Sequence, residues 1–268
     1  MDRKKILYIG IIIIAAVAGI TAFALNNTSS NFTQYDNVRV SQSVLSQFKA
    51  IAMNTTLAGA VGSGGDTSFP ALLNSSPLVS NGKPELLYVG GDFCPYCAIT
   101  RWSLIIALMR FGNFTKLHYM TSSTASFEPY RGTPTFTFYN SSYSSGIVNF
   151  TEVEIAINVY NASIGNYPPL QNMTQFEKNT MTKYDPNGGI PFIDFGNYSV
   201  QNGAVTSPGV IQNQNWSVTI SQLSNPNTPS SQNIIGTANV FTAQICEIIH
   251  NNADICSKPF IQNIEKQV

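Results

Sequence analysis

Apolar and polar positions divide the chain into three kinds of stretch. The first is continuous and apolar. Ile6 to Leu25 carries no charge and follows Arg3, Lys4 and Lys5. At 1.5 Å per residue, such a run crosses a ~30 Å hydrocarbon core. The basic flank favours a cytosolic N-terminus. This predicts a single-pass anchor in the cell membrane, with everything after Leu25 extracytoplasmic. A cleaved signal peptide is the competing reading, because Ala22-Phe23-Ala24 offers a small-x-small site. A buried helix is the third.

The second kind has helical period. Val40, Val44, Leu45, Phe48, Ile51 and Ala52 share one face, with Ser41 placed to cap the start. A polar tether from Asn26 to Asn37 precedes this helix. The Gly-, Ser- and Pro-rich stretch from Gly59 to Pro84 follows it and reads as a flexible connection.

From Glu85 short apolar strands alternate with helices. Leu86-Leu87-Tyr88-Val89 suits a buried strand, ended by Gly90-Gly91-Asp92. Ala98 to Phe111 contains neither Gly nor Pro and predicts a buried helix that stops at Gly112. Leu117 to Met120 predicts the next strand. Pro134 to Tyr139 and Ile147 to Ile157 predict an inserted hairpin. A helix over Met173 to Tyr184 is followed by strand Pro191–Phe195, a turn at Gly196-Asn197, a pairing strand and a helix over Trp216–Leu223. A linker then leads to a helix over Ile234–Ile249. The divisions implied are an anchor (1–25), a tether, helix and linker (26–84), an α/β domain (85–223) and a helical C-terminal extension (224–268).

Composition narrows the function classes. Net charge is zero and charged residues make up only 10%, against ~25% in ordinary soluble domains. No basic stripe follows the first residues, which argues against a nucleic-acid partner. A polar, nearly uncharged surface fits an acidic exterior, where it would gain little self-repulsion; compositional drift explains it equally well. Asn-x-Ser/Thr sequons recur from Asn26 to Asn215. In an exported chain they would accept N-glycans.

The candidate chemistry lies in four cysteines. Local spacing pairs Cys94 with Cys97 and Cys246 with Cys256. Cys94-Pro95-Tyr96-Cys97 stands between the apolar strand and the buried helix. A cysteine at a helix start is stabilised as thiolate by free N–H groups and the helix dipole, and Pro95 begins the helix without losing a needed donor. Cys97, one turn further in, is expected to be more buried. Cys94 then forms a mixed disulfide and Cys97 resolves it. A zinc site using all four cysteines and an inert disulfide are the alternatives; the ten-residue spacing of Cys246 and Cys256 is unusual for zinc. Cys246–Cys256 reads as a structural disulfide, with a second redox relay as the other option. Arg101 either raises the local potential or makes an exposed ion pair. His118 and His250 each stand alone and read as structural or surface residues. No cofactor and no resident metal are expected.

Glu85 to Phe114, with Gly90-Gly-Asp-Phe-Cys-Pro-Tyr-Cys97, Arg101-Trp102 and Arg110-Phe-Gly-Asn-Phe114, resembles a membrane-anchored archaeal family of unknown function that is itself thioredoxin-like. The likeness continues through Leu117–Ser123, Thr133–Phe136, Gly189–Asp194 and Ser221–Pro226. It implies a thioredoxin-like fold with helical extensions at both ends. It also implies a proline-led strand facing the cysteines, whose preceding residue pairs with an extended substrate. Ile190-Pro191 fits that place better than Thr133-Pro134, since strand, turn, strand and helix follow it. With Pro95 and Tyr96, these residues form the expected substrate contact. Two features depart from the superfamily. No glutathione carboxylate site is visible, and Tyr88 stands near where thioredoxin has a buried acid; Glu85 or Asp92 could substitute.

The expected function is an anchored extracytoplasmic thiol–disulfide oxidoreductase acting on the thiols or disulfides of exported proteins. Its rivals are a non-catalytic binding module of the cell envelope and a metal-delivery protein.

Overall fold

The computed structural model describes residues 32–64 and 69–267. Its central sheet is built from strands that bury both faces. Strand β3 (Lys83–Gly90) is flanked by β6 (Asn149–Glu154), which runs parallel to it, and by antiparallel β7 (Phe192–Phe195). Beyond β7 lie β8 (Ser199–Asn202) and the two-residue β1 (Ala71–Leu72), while β2 (Val79–Ser80) pairs with the start of β3. The core order is therefore β8-β7-β3-β6, with a single parallel pair. A separate ribbon is formed by β4 (Asn113–Thr121) and β5 (Pro134–Ser144).

Period-two alternation along β3 sends Leu86 and Tyr88 to one face and Leu87 and Val89 to the other, and all four are buried. The first face meets helices α1 (Gln42–Met53), α3 (Pro95–Met109), α5 (Trp216–Leu223) and α6 (Pro229–Ile248) in one large core. The second, smaller core gathers Leu87, Val89, Val153, Phe192 and Val200 under Met181 of α4 (Gln175–Tyr184). Two short helices, α2 (Thr55–Val61) and α7 (Pro259–Glu265), complete the layer around α6.

Local chemistry starts and stops these helices. Ser41, Asn54, Thr174, Asn215 and Thr228 each accept an N–H from the first turn, and Thr174 with Glu177 forms a reciprocal capping box. Arg110, at the C-terminal end of α3, is buried among neutral partners. It donates to the Ala52 and Ala238 carbonyls, Thr242 Oγ1 and Asn239 Oδ1. One guanidinium thus ties α1, α3 and α6 together, and burial lowers its pKa to about 9.

Three expectations need correction. Residues 134–144 do not form a hairpin with 147–157: β5 pairs with β4, and β6 leaves to join β3 in parallel. The short connection from 145 to 148 imitates a hairpin loop, but alternation fixes which face a strand buries and not which strand it pairs with. The Gly/Ser-rich stretch is not wholly a linker, since it contains β1, β2 and part of α2. The single-pass membrane localisation is also overturned. Among the described residues no helix is long and apolar enough to cross a membrane. Even the 20-residue α6 carries Gln232, Asn233, Asn239 and Gln244. The run Ile6–Leu25, on which that localisation rested, lies outside the described residues.

Candidate redox site

The β3 strand ends in Gly90-Gly91, and both glycines are required by crowding. A Cβ on Gly90 would collide with the Tyr88 phenol, and one on Gly91 would lie 2.6 Å from the Phe93 ring. The chain turns tightly and delivers Cys94 as the N-cap of α3, with Pro95 at the first helical position. Cys94 Sγ accepts the Cys97 N–H at 3.2 Å and lies 4.0 Å from the carbonyl oxygen of Ile190. The Ile190–Pro191 peptide is cis. Both sulfurs are free thiols. Cys94 is 6% exposed and Cys97 fully buried.

The two thiols are pushed apart in acidity. Hydrogen bonding from the Cys97 thiol, helped by its backbone N–H and by the positive charge of Arg101, holds Cys94 below the ordinary thiol value in spite of burial. Burial drives Cys97 well above that value, and the neighbouring Cys94 adds to the effect. Cys94 is thus the more readily deprotonated of the two thiols.

Behind them lies a buried ionic cluster. Arg101, one turn beyond Cys97, is fully buried and bonds Glu154 through Nε–Oε1 (2.8 Å) and Nη2–Oε2 (2.6 Å). Its Nη2 also donates to the Gly91 carbonyl at 2.8 Å and stands 3.6 Å from Asp92. Although burial opposes its charge, these carboxylates keep the guanidinium protonated. Asp92 is raised to about 7, chiefly by burial and then by Glu154, with Arg101 opposing. The Tyr88 ring lies 5.9 Å from the Arg101 guanidinium carbon. Tyr88 Oη, Asp92 Oδ1 and Arg101 Nη1 are buried with no hydrogen-bond partner among the described residues.

Most of the expected site residues meet at one place. Cys94, Cys97, Pro95, Ile190 and Pro191 come together at the start of α3. Tyr96 is exposed there and meets Tyr130 edge-on at 5.9 Å. Cys246 and Cys256 are joined to each other, which leaves no four-cysteine zinc site. Their end of α6 is remote from Cys94: Ile248 packs on Gly196, at the turn after β7 that faces the start of β3. Among the described residues no group of three or more His, Cys, Asp or Glu is placed to hold a metal ion. The ion pair of Arg101 is buried and not exposed. Glu85 bonds Thr151 at the start of β3, so of the two acids considered only Asp92 reaches the cluster. Sequence reasoning missed Glu154: β6 reads Asn-Phe-Thr-Glu-Val-Glu, and nothing local sets Glu154 apart from Glu152.

The family described as a domain of unknown function (DUF929) matches residues 70–188. That stretch holds the cysteine turn, Arg101 and Glu154, and ends before Pro191. The comparisons with curated proteins and with solved structures each gave no match.

Proposed function

We propose that the chain is a thiol–disulfide oxidoreductase with a thioredoxin-like core. The order β8-β7-β3-β6, a helix led by two cysteines after the central strand, and a proline-led β7 beside them all support this reading. The observation that carries it is the position of Cys94 Sγ, capped by the Cys97 N–H and bordered by the Ile190 carbonyl.

In the direction that reduces a substrate, the Cys94 thiolate attacks one sulfur of a protein disulfide. A Cys94–substrate S–S bond forms, the substrate S–S bond breaks, and the other substrate sulfur leaves with the electron pair and takes a proton. Cys97 then gives up its proton and attacks Cys94 Sγ. The Cys94–Cys97 disulfide forms and the second substrate sulfur leaves as a thiol. The dithiol loses two electrons and two protons, and the substrate gains them. Run backwards, the same steps oxidise a substrate dithiol. The Ile190 carbonyl offers an acceptor for the backbone N–H of an extended substrate.

A Cys97→Ser variant tests the reading. It should accumulate mixed disulfides through Cys94 when mixed with an unfolded disulfide protein, and Cys94→Ser should accumulate none. Absent trapping by both variants would leave the site as an inert thiol pair, and equal trapping by both would remove Cys94 as the attacking thiol.

A further inference from the structure

A row of aromatic rings leads away from the cysteine turn. Phe93, the residue before Cys94, stacks on Tyr167 with centroids 4.3 Å apart and planes at 11°. Tyr167 meets Tyr160 edge-on at 5.4 Å, and Tyr160 meets Phe127 at 4.9 Å. The row is anchored to the redox turn. The Ser123 N–H donates to the Phe93 carbonyl at 2.9 Å. The Tyr167 hydroxyl bonds Ser123 Oγ at 2.8 Å and donates to Glu128 Oε1 at 2.6 Å. The row ends at an open cavity of about 400 Å³ of mixed lining, polar at Ser123, Thr124, Ser126 and Asn158 and apolar at Phe127 and Val159 beside the Tyr160 ring. Phe127 and Val159 stand 61% and 64% exposed there.

Three features define the occupant. No acidic or basic side chain lines the cavity, so a charged group entering it would meet no opposite charge. Aromatic side chains beside a concavity are common anchors for a bulky apolar group, and Phe127 with the neighbouring Tyr160 ring supplies them here. Finally, the three ring-to-ring steps put the cavity at most about 15 Å from Phe93, which an extended chain covers in about four residues at ~3.4 Å each.

We infer that this row is a recognition subsite for the cysteine-bearing polypeptide, taking a bulky apolar or aromatic side chain three or four residues from the cysteine that reacts with Cys94. The inference rests on the oxidoreductase reading for its substrate, but the binding it describes is measurable without any exchange.

The experiment uses the full chain and short uncharged peptides in which Ser replaces the reactive cysteine. Tryptophan stands three residues before or after that position, and a control carries Ser there. Calorimetry or fluorescence anisotropy should show at least one tryptophan peptide binding tenfold or more tighter than the control. Phe127→Ser, an exposed change whose fold is checked by circular dichroism, should reduce that preference to threefold or less. Equal binding of all peptides, or a preference untouched by Phe127→Ser, would overturn the subsite. So would a dimer in solution that Phe127→Ser dissolves, which would assign the face to a second copy of the chain. In parallel, the wild-type dithiol is mixed with an unfolded disulfide protein. If that exchange fails while peptide preference persists, the subsite stands and the oxidoreductase reading falls.

Discussion

The two cysteine pairs lie at opposite ends of the central sheet and differ in almost every physical respect. Cys94 and Cys97 are one helical turn apart at the N-terminus of α3, as free thiols, with a buried arginine and two carboxylates behind them. Cys246 and Cys256 are ten residues apart, bonded to each other between the last turn of α6 and the loop before α7. Ile245, Ile248, Ile255 and Ile264 share their apolar core. One pair therefore has means to divide its protons unequally and a carbonyl edge for a partner. The other closes a loop and has neither. Burial alone does not separate them, since all four cysteines are at most 6% exposed. What surrounds the sulfur decides.

Exchanging the lesion between the pairs gives the largest effects. Cys94→Ser should lower thiol–disulfide exchange by ~10³-fold or more, at a stability cost of no more than about 1 kcal/mol because Ser is itself a favoured N-cap. The double change Cys246→Ser with Cys256→Ser should do the reverse. Opening a loop of this length costs about 3 kcal/mol, while the exchange rate per folded molecule should stay within twofold. Urea denaturation and reduction of a small disulfide measure both. If the second variant also loses exchange, the distal pair is a relay and the contrast dissolves.

The ionic cluster comes next. Arg101→Met leaves Glu154 and Asp92 buried without their cation and should cost about 3–5 kcal/mol. Arg110 is buried too, but its partners are carbonyls and neutral side chains. Arg110→Met would strand no opposite charge and should cost less, about 1–3 kcal/mol. Chemical denaturation of the two variants ranks them, and an equal cost would show that the carboxylates near the cysteines are not held by Arg101.

How far the sequence foretold this contrast follows from the range of each interaction. The cysteine turn, its Pro95 start, the buried helix and the strand before it are local, and local pattern specified them. The Cys246–Cys256 pairing is local as well. Glu154 was invisible because its partner is 53 residues away across a parallel strand pair. The assignment of β6 as half of a hairpin concealed that pairing. The aromatic row was missed for the same reason: Phe93, Phe127, Tyr160 and Tyr167 sit in separate loops with no shared period. Ile190-Pro191 was found only through resemblance.

The pH dependence of stability sharpens the electrostatic side. Asp92 and Glu152 are each raised to about 7 and Asp194 to about 6, in every case chiefly by burial. An acid whose folded pKa exceeds its unfolded value binds more protons in the native state, so stability falls as pH rises between the two values. The window runs from about pH 4 to about pH 7. His118, lowered by burial, works against the trend within part of it. Urea midpoints should be highest near pH 4–5 and decline toward pH 7. Taken additively at ~1.4 kcal/mol per pH unit the three shifts amount to roughly 10 kcal/mol, and interaction within the Asp92–Glu154 cluster and solvent around Glu152 reduce the expected loss to several kcal/mol. Asp92→Asn should flatten the curve. A midpoint that rises steadily from pH 4 to 7 would mean that these carboxyls ionise at little cost in the fold, and that the cluster behind Cys97 carries more negative charge at neutral pH than burial allows.

Tyr88 gives the smallest expected change. Its hydroxyl is fully buried, has no hydrogen-bond partner among the described residues and presses on Gly90, while its ring packs edge-on against Phe138 at 5.1 Å. Burial raises the phenol pKa well above its ordinary value, so it is neutral at any physiological pH. Removing an unsatisfied buried hydroxyl and keeping the ring should be neutral or stabilising by up to about 1 kcal/mol. Tyr88→Phe should therefore melt at or slightly above the wild-type temperature. A loss of more than about 1 kcal/mol would show that the hydroxyl is bonded in solution, and the titratable groups that act on it are Arg101, Glu154 and the two thiols. That outcome would add a fourth member to the cluster and make the free-thiol end of the sheet still less like the disulfide end.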